Sequence, residues 1–127
     1  MKIFLFFFII ISMFFETGQT TAVVEILGKN GKVISFEQIG QSSTKNGKLV
    51  QALPVQQKGT YFYLHLNKIS TITFRTIKEK SIVAKVVFLS GVQKEFDFVK
   101  TKLYCKRGDE IIRMPLEAIR TIKFIKS

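Results

Sequence analysis

The chain is poor in the side chains that most catalytic and metal sites use. Its 127 residues include one cysteine, one histidine, two aspartates and no tryptophan. A single cysteine cannot form an internal disulfide or a thiolate-rich zinc site, and the single histidine has no partner at a metal-ligand spacing. No G-x-S-x-G segment marks a nucleophile elbow. The sequence therefore predicts a non-enzymatic protein with no cofactor and no bound metal.

Acidic residues are scarce as well. The chain has 9 Asp+Glu and 20 Lys+Arg, which gives a formal net charge of +11 and a pI near 10. Its length fits one domain, and an apolar share of 46% is too high for a disordered chain. A basic surface attracts anionic partners, but a lysine-rich composition alone gives the same charge. The charge therefore indicates either a surface for an anionic polymer or only an effect on solubility.

The first segment has the pattern of an export signal. Thirteen residues, Ile3–Phe15, are all apolar except Ser12, and Lys2 precedes them. This run is well short of the ~20 residues that a membrane-spanning helix needs. A positive start, a short apolar run and the small residues Thr20 and Ala22 are typical of a secretory signal peptide, cleaved here after Ala22. We expect a periplasmic or secreted protein; the alternative is an uncleaved leader, which would then be its only contact with a membrane.

The remainder of the chain has the pattern of β-strands. Short runs rich in Ile, Val, Phe, Thr and Tyr alternate with Gly, Asn and Lys clusters, which is typical of an all-β sandwich or barrel. Gly28–Gly31, Ser90–Gly91 and Arg107–Glu110 supply turn residues between runs. Ten strands are predicted, at Ala22–Leu27, Lys32–Ile39, Lys48–Leu53, Thr60–Leu66, Ser70–Ile77, Ser81–Leu89, Val92–Val99, Thr101–Lys106, Glu110–Met114 and Arg120–Ile125.

The first five runs resemble the last five. Phe36 matches Phe96 at an offset of 60, and Leu66–Phe74 matches Leu116–Phe124 at an offset of 50 with five identities. Such self-similarity indicates an internal duplication; chance identity in a biased composition is the alternative. We expect an all-β fold of two tandem five-stranded SH3-like small-barrel repeats, or one fused β-barrel or sandwich. The predicted boundaries are a signal peptide at 1–22, a first repeat at 23–77 and a second repeat at 78–127.

Each predicted repeat ends on the same spacing. Leu66, Ile69 and Ile72 are three residues apart, and two-residue spacing follows. Three-residue spacing fits one turn of 3₁₀ helix, and two-residue spacing fits a strand. This order resembles the closing part of SH3-like barrels, a class that hosts too many functions to predict one. The changing offset predicts longer loops in the first repeat, at Gly40–Gly47 and Pro54–Gly59.

A tyrosine-rich run, Tyr61–Leu66, carries the first candidate binding surface. Side chains alternate between the faces of a strand, so Phe62 and Leu64 are expected inside. Phenol and imidazole rings on the outer face suit a sugar, a base or the edge of a peptide. The alternative is that this face packs against the other repeat. The candidate binding residues are Tyr61, Tyr63 and His65.

The densest basic cluster, Lys100–Arg107, is the second candidate surface. A basic strand with the interleaved aromatic Tyr104 can follow an anionic polymer. Sixteen lysines against four arginines do not favour a phosphate-specific site, and no specific nucleic-acid motif is present. The alternative is that these lysines only keep a strand face solvated. The candidate ligand-binding residues are Lys100, Lys102, Lys106 and Arg107.

The lone cysteine, Cys105, lies on the same strand face as Leu103. Apolar neighbours predict a small buried side chain, although a disulfide with another chain is the alternative.

These observations together predict an exported, non-enzymatic β-protein that acts as a binding or assembly module in the cell envelope or the extracellular space. Its expected partner is an envelope or extracellular protein. The alternative is a basic protein that binds an anionic polymer, whether a glycan, lipid headgroups or nucleic acid.

Overall fold

A computed structural model of the protein describes residues 23–42 and 49–125. The predicted signal peptide, residues 1–22, lies outside this part. The described residues form strands and two single turns of 3₁₀ helix, and they contain no helix long and apolar enough to cross a membrane. The strands are β1 (Val24–Gly28), β2 (Val33–Phe36), β3 (Gln38–Ser42), β4 (Leu49–Val50), β5 (Ala52–Gln57), β6 (Thr60–His65), β7 (Ile69–Ile77), β8 (Ser81–Phe88), β9 (Gln93–Val99), β10 (Lys102–Arg107), β11 (Glu110–Pro115) and β12 (Ile119–Phe124), and the 3₁₀ turns are Leu66–Lys68 and Leu116–Ala118.

The strands form two antiparallel sheets. The larger sheet has the order β2-β1-β12-β7-β8-β9-β5-β6, and the smaller has the order β11-β10-β3-β4. Glu37 alone separates β2 from β3, and its N–H donates to the Lys106 carbonyl at 2.9 Å, so the chain passes from the larger sheet to the smaller one there. Neither sheet closes on itself within the described residues. The predicted all-β class is confirmed.

Glycines with positive φ form two of the predicted hairpin turns. Gly31 has a φ of 86° and Gly91 a φ of 92°. The N–H of each donates to the carbonyl three residues earlier, at Gly28 and Phe88, over 3.0 and 2.9 Å. A Cβ is strained in this left-handed region, which explains glycine at the two turns.

One predicted loop, Pro54–Gly59, is mostly strand. β5 continues through it, and only its last two residues, with φ of 51° and 80°, form the turn to β6. Proline lacks the N–H that a strand donates to its neighbour. Because β9 pairs with β5 only at Val55 and Gln56, Pro54 lies where no such hydrogen bond is needed. The other predicted loop, Gly40–Gly47, begins inside β3.

Hairpins from the two halves of the chain have matching registers. Leu53 pairs with Leu64 in β5–β6, and Leu103 pairs with Met114 in β10–β11, which is an offset of 50. Val24 pairs with Phe36 in β1–β2, and Ala84 pairs with Phe96 in β8–β9, which is an offset of 60. A 3₁₀ turn precedes the last strand of each half, as the spacing predicted.

The strands of the first half of the chain, up to residue 77, are interleaved with those of the second half, from residue 78 on. β7 pairs with β8 and β12 with β1, while β9 pairs with β5 and β10 with β3. Strands β5, β6 and β7 therefore join β8 and β9, and strands β10, β11 and β12 join β1, β2 and β3. The two groups meet where β7 pairs with β12, at Ile72 and Ile122.

A single cluster of buried apolar side chains includes residues of both sheets. Ile39 and Leu103 come from the smaller sheet, and Ile72 and Phe98 come from the larger one. The ring of Phe98 packs edge-on against Phe74, with centroids 5.4 Å apart. Burying a side chain of this size typically stabilises a fold by about 1.5–3 kcal/mol. This shared core holds the outer hairpins in place.

Gly40 lies where two chain segments approach closely. It is buried in β3, opposite Tyr104. A Cβ at this position would overlap the backbone carbonyl of Val50. Glycine is therefore required here for a close backbone approach and not for a turn.

Candidate binding surfaces

The tyrosine-rich strand β6 has the predicted alternation at Tyr63, Leu64 and His65, but Phe62, which was expected inside, is exposed near the open end of the sheet. Leu64 is buried, whereas 67% of Tyr61 and 61% of Tyr63 are exposed, and His65 is exposed as well. Phe62 is 37% exposed and packs edge-on against Phe96, with centroids 6.1 Å apart. Residues 78–125 do not cover this outer face.

The backbone of β6 is also open on one side. β6 is the last strand of the larger sheet and pairs only with β5 among the described residues. A two-residue turn makes its flanking residues, Gln57 and Thr60, a hydrogen-bonded pair, and such pairs then alternate along an antiparallel hairpin. The N–H of Leu66 donates to the Gln51 carbonyl at 3.0 Å, so these two residues continue the same alternation of hydrogen-bonded pairs. The residues whose N–H groups point away from β5 are therefore Tyr61, Tyr63 and His65. The carbonyls of Tyr61 and Tyr63 point the same way, whereas that of His65, the N-cap residue, belongs to the 3₁₀ turn.

A hollow of about 430 Å³ adjoins this strand. Val50 and Ala52 give it apolar walls, and Gln41 adds an amide group. The two candidate residues that line it are Tyr63 and His65. The aromatic surface is therefore concave at one end.

The four basic candidate residues lie in different settings. Lys102 and Lys106 are exposed on β10. Lys100 is half-buried ahead of this strand, where its N–H donates to the Lys80 carbonyl at 3.4 Å. Arg107 ends the strand, and its Nη2 lies 3.7 Å from an oxygen of Glu110. Lys102 and Lys106 are thus the two that share an open face.

A basic residue outside the Lys100–Arg107 cluster completes this face. Arg113 on β11 pairs directly with Tyr104 on β10, and paired residues project to the same side of a sheet. Arg113 is exposed, and Tyr104 is half-buried between the lysines on either side of it. The two-residue turn at Gly108–Asp109 was enough to predict this register. We call Lys102, Tyr104, Lys106 and Arg113 the basic face.

A second hollow, of about 370 Å³, opens beside the basic face. Thr101, Lys102 and Tyr104 line it together with Gln41, whose Nε2 donates to Thr101 Oγ1 at 3.3 Å. Gln41 lines both hollows. The two candidate surfaces therefore lie on either side of this residue.

The two surfaces occupy matching places in the fold. Tyr63 pairs with Pro54 in β5–β6, and Arg113 pairs with Tyr104 in β10–β11, at an offset of 50. Two hairpins of matching register thus present aromatic rings in one half of the chain and positive charge in the other.

Cys105 lies on the inner side of β10. Its side chain is fully buried, and burial raises the pKa of the thiol from 9.0 to about 12. The thiol is therefore protonated at neutral pH and is not a nucleophile, since reactivity belongs to the thiolate.

The carboxylates of Glu37 and Asp97 contact different groups of the protein. An oxygen of Glu37 accepts a hydrogen bond from Gly108 N–H at 3.2 Å, and Asp97 lies 3.7 Å from Lys78 Nζ. Within residues 23–42 and 49–125, no three His, Cys, Asp or Glu side chains come together as metal ligands would.

Comparison with models of known protein families gives no match, and comparison with curated proteins gives none either. The chain is similar in structure to protein VPA1032 from Vibrio parahaemolyticus, with 11% sequence identity and a TM-score of 0.55. The similarity covers 85% of this chain and 50% of that one, so the present chain spans about half the length of VPA1032. At this identity the likeness shows the fold alone.

Proposed function

We propose that the protein is an exported, non-enzymatic binding module, and that the open edge of β6 pairs with an extended segment of an envelope or extracellular protein. The observation that carries this proposal is the coincidence of side chains and backbone on one strand. Tyr61, Tyr63 and His65 have outward-pointing backbone groups and exposed side chains. In strand addition, backbone hydrogen bonds supply affinity and alternate side chains supply specificity.

The edge of β6 lacks the usual protection against strand pairing. Exposed edges are commonly blocked by lysine, by proline or by a bulge, and none of these occurs in Thr60–His65. The matching strand β11 has Arg113 and, at its end, Pro115, which has no N–H. One hairpin edge is thus blocked, and the other remains available.

Tyrosine suits the contact that this proposal requires. Its ring buries a large apolar area, and its hydroxyl still finds a hydrogen-bond partner. The hollow beside Tyr63 and His65 offers space for a side chain of the added segment. Export, through the leader at residues 1–22, would place this surface among envelope or extracellular proteins.

We propose further that the chain consists of two copies of one SH3-like five-stranded unit that exchange strands. Support comes from the shared hairpin registers at offsets of 50 and 60 and from the matched 3₁₀ turns. On this account, β6 and β11 are copies of one edge that have diverged in chemistry.

The substitution His65→Pro tests the edge without disturbing the fold. His65 has φ −76° and ψ 131°, and its counterpart Pro115 has φ −67° and ψ 141°, so a proline fits this backbone. The N–H that is lost points away from β5. The control His65→Ala removes the imidazole but keeps this donor.

Displayed random linear peptides provide the binding probe. We expect selected peptides to slow amide exchange at Tyr61, Tyr63 and His65, and to bind His65→Pro about tenfold more weakly than His65→Ala. Two results would contradict the proposal: protection of other amides by the selected peptides, or equal binding of these peptides to the two variants.

A further inference from the structure

The basic face carries three positive charges, none of which forms an ion pair with an acidic side chain in the described part of the chain. Lys102 and Lys106 lie on β10, and Arg113 lies on β11 beside Tyr104. The ion pairs of the described residues involve other groups: Arg75 with Glu95, Lys78 with Asp97 and Arg107 with Glu110. The face therefore has a local excess of charge in addition to the basic composition of the whole chain.

The three charges have a regular spacing along the strands. Lys102 and Lys106 are four residues apart, and Arg113 is paired with Tyr104, midway between them. Two residues of a strand span about 7 Å. The charged residues therefore follow one another at steps of about 7 Å along the strand direction, which is also the spacing of alternate side chains in an extended peptide.

One end of the face offers uncharged donors as well. The hollow beside Lys102 is also lined by Thr101, Tyr104 and Gln41, residues that carry hydroxyl or amide groups. Hydrogen bonds to ionised acceptors are stronger than those between neutral groups. A carboxylate that enters this hollow meets the Lys102 ammonium and these polar side chains together.

We propose that the basic face binds an extended acidic segment of a partner protein, in which every second residue is Asp or Glu. One carboxylate occupies the hollow at Lys102, the next contacts Arg113 and the third contacts Lys106. Pro115 removes a backbone donor from the adjoining edge, so side chains rather than strand pairing carry the recognition. This site is separate from the β6 edge and does not depend on it.

Two synthetic peptides of equal composition test the spacing. One alternates Glu with Thr, and the other has the same glutamates in one block. We expect the alternating peptide to bind about tenfold more tightly, as measured by fluorescence anisotropy at low salt. Each exposed ion pair contributes modestly, and only the alternating spacing allows all three ion pairs to form at the same time.

Two triple variants with the same loss of charge test the location. Lys102, Lys106 and Arg113 are changed to Gln in one, and in the other the exposed residues Lys94, Arg120 and Lys123 are changed to Gln. We expect about a tenfold loss of affinity in the first and less than about a twofold loss in the second. The single variant Tyr104→Phe should weaken binding by a smaller factor, because it removes the hydroxyl of one residue that lines the hollow.

Several results would overturn the proposal. Equal binding of the two peptides would remove the spacing argument, and equal losses in the two triple variants would show attraction to net charge alone. Dextran sulfate is the probe for an anionic polymer. If it binds more tightly than both peptides through the same three residues, and the protein does not distinguish the peptides, the basic face binds an anionic polymer instead. Loss of peptide binding in His65→Pro would place the binding at the β6 edge instead of the basic face.

Discussion

Ile72 and Ile122 lie directly opposite each other on β7 and β12, and both side chains are fully buried. Their neighbours are paired symmetrically, Thr73 with Thr121 and Thr71 with Lys123. Positions 50 residues apart in the sequence are thus in contact at the centre of the interleaved strands. A change at one isoleucine acts on the other half of the chain as well.

We expect Ile72→Ala and Ile122→Ala each to lower the free energy of unfolding by about 2–5 kcal/mol, through lost burial and a residual cavity. Because the two side chains are paired, the double variant should depart from additivity by about 0.5–3 kcal/mol. Urea unfolding measures both quantities. The exposed Lys123→Ala is the control, with an expected change below about 0.5 kcal/mol. A similarly small change in the free energy of unfolding of Ile122→Ala would contradict the pairing register of β12 with β7.

Gly40→Ala should destabilise the fold although it adds only a methyl group. The new Cβ would overlap the Val50 carbonyl, which is backbone and cannot move aside easily. Overpacking of this kind costs about 1–3 kcal/mol. The control is Gly59→Asn, at a turn with φ 80° and open space, where asparagine tolerates positive φ. Thermal unfolding distinguishes the two, and an unchanged midpoint in Gly40→Ala would mean that β4 does not cross at this point.

Burial of Cys105 predicts a specific loss of stability at high pH. The folded-state pKa of about 12 exceeds the ordinary thiol pKa of 9.0, so between these values the unfolded chain binds fewer protons than the folded one. The stabilising effect is complete below pH 9 and is lost as the pH rises towards 12, by about 1.4 kcal/mol per pH unit. Urea unfolding at pH 8 and pH 10 should therefore show a steeper decline in the parent than in Cys105→Ala, in which the other groups still titrate. Equal declines, or rapid thiol labelling of the folded protein, would exclude a buried thiol.

Local features of the fold were predictable from the sequence because each has a local cause. The turn glycines need positive φ, the three-residue spacing fits 3₁₀ geometry, and alternation over Tyr63–Leu66 separates buried from exposed side chains. Strand membership of Pro54 was missed, because a missing N–H matters only where a neighbouring strand needs it. Pairing of β7 with β8 and of β9 with β5 depends on long-range topology, which spacing alone does not reveal.

The candidate surfaces were predictable only in part for the same reason. The outer face of β6 follows from alternation along one strand. Arg113 joins the basic face only through pairing across a hairpin, and Arg107 is partnered by Glu110. Matched positions also differ in burial: Phe74 is buried, whereas its counterpart Phe124 is half-buried. Equal loss of stability on truncating these two rings is therefore not expected.

The edge of β6 is self-complementary, which predicts weak association between copies of the chain. If two β6 strands pair antiparallel about Tyr63, the outward groups of Tyr61 meet those of His65, and the two copies of Tyr63 lie opposite each other. We expect the mass measured by sedimentation to rise with concentration in the parent. Tyr63→Lys would place two like charges opposite each other across the pair, which is destabilising, and should raise the dimer Kd at least about tenfold. The control Lys94→Gln changes an exposed charge on a strand that already has neighbours on both sides and should leave the association unchanged. If Tyr63→Lys associates as the parent does, copies of the chain meet through another surface, and the open edge of β6 is not used between them.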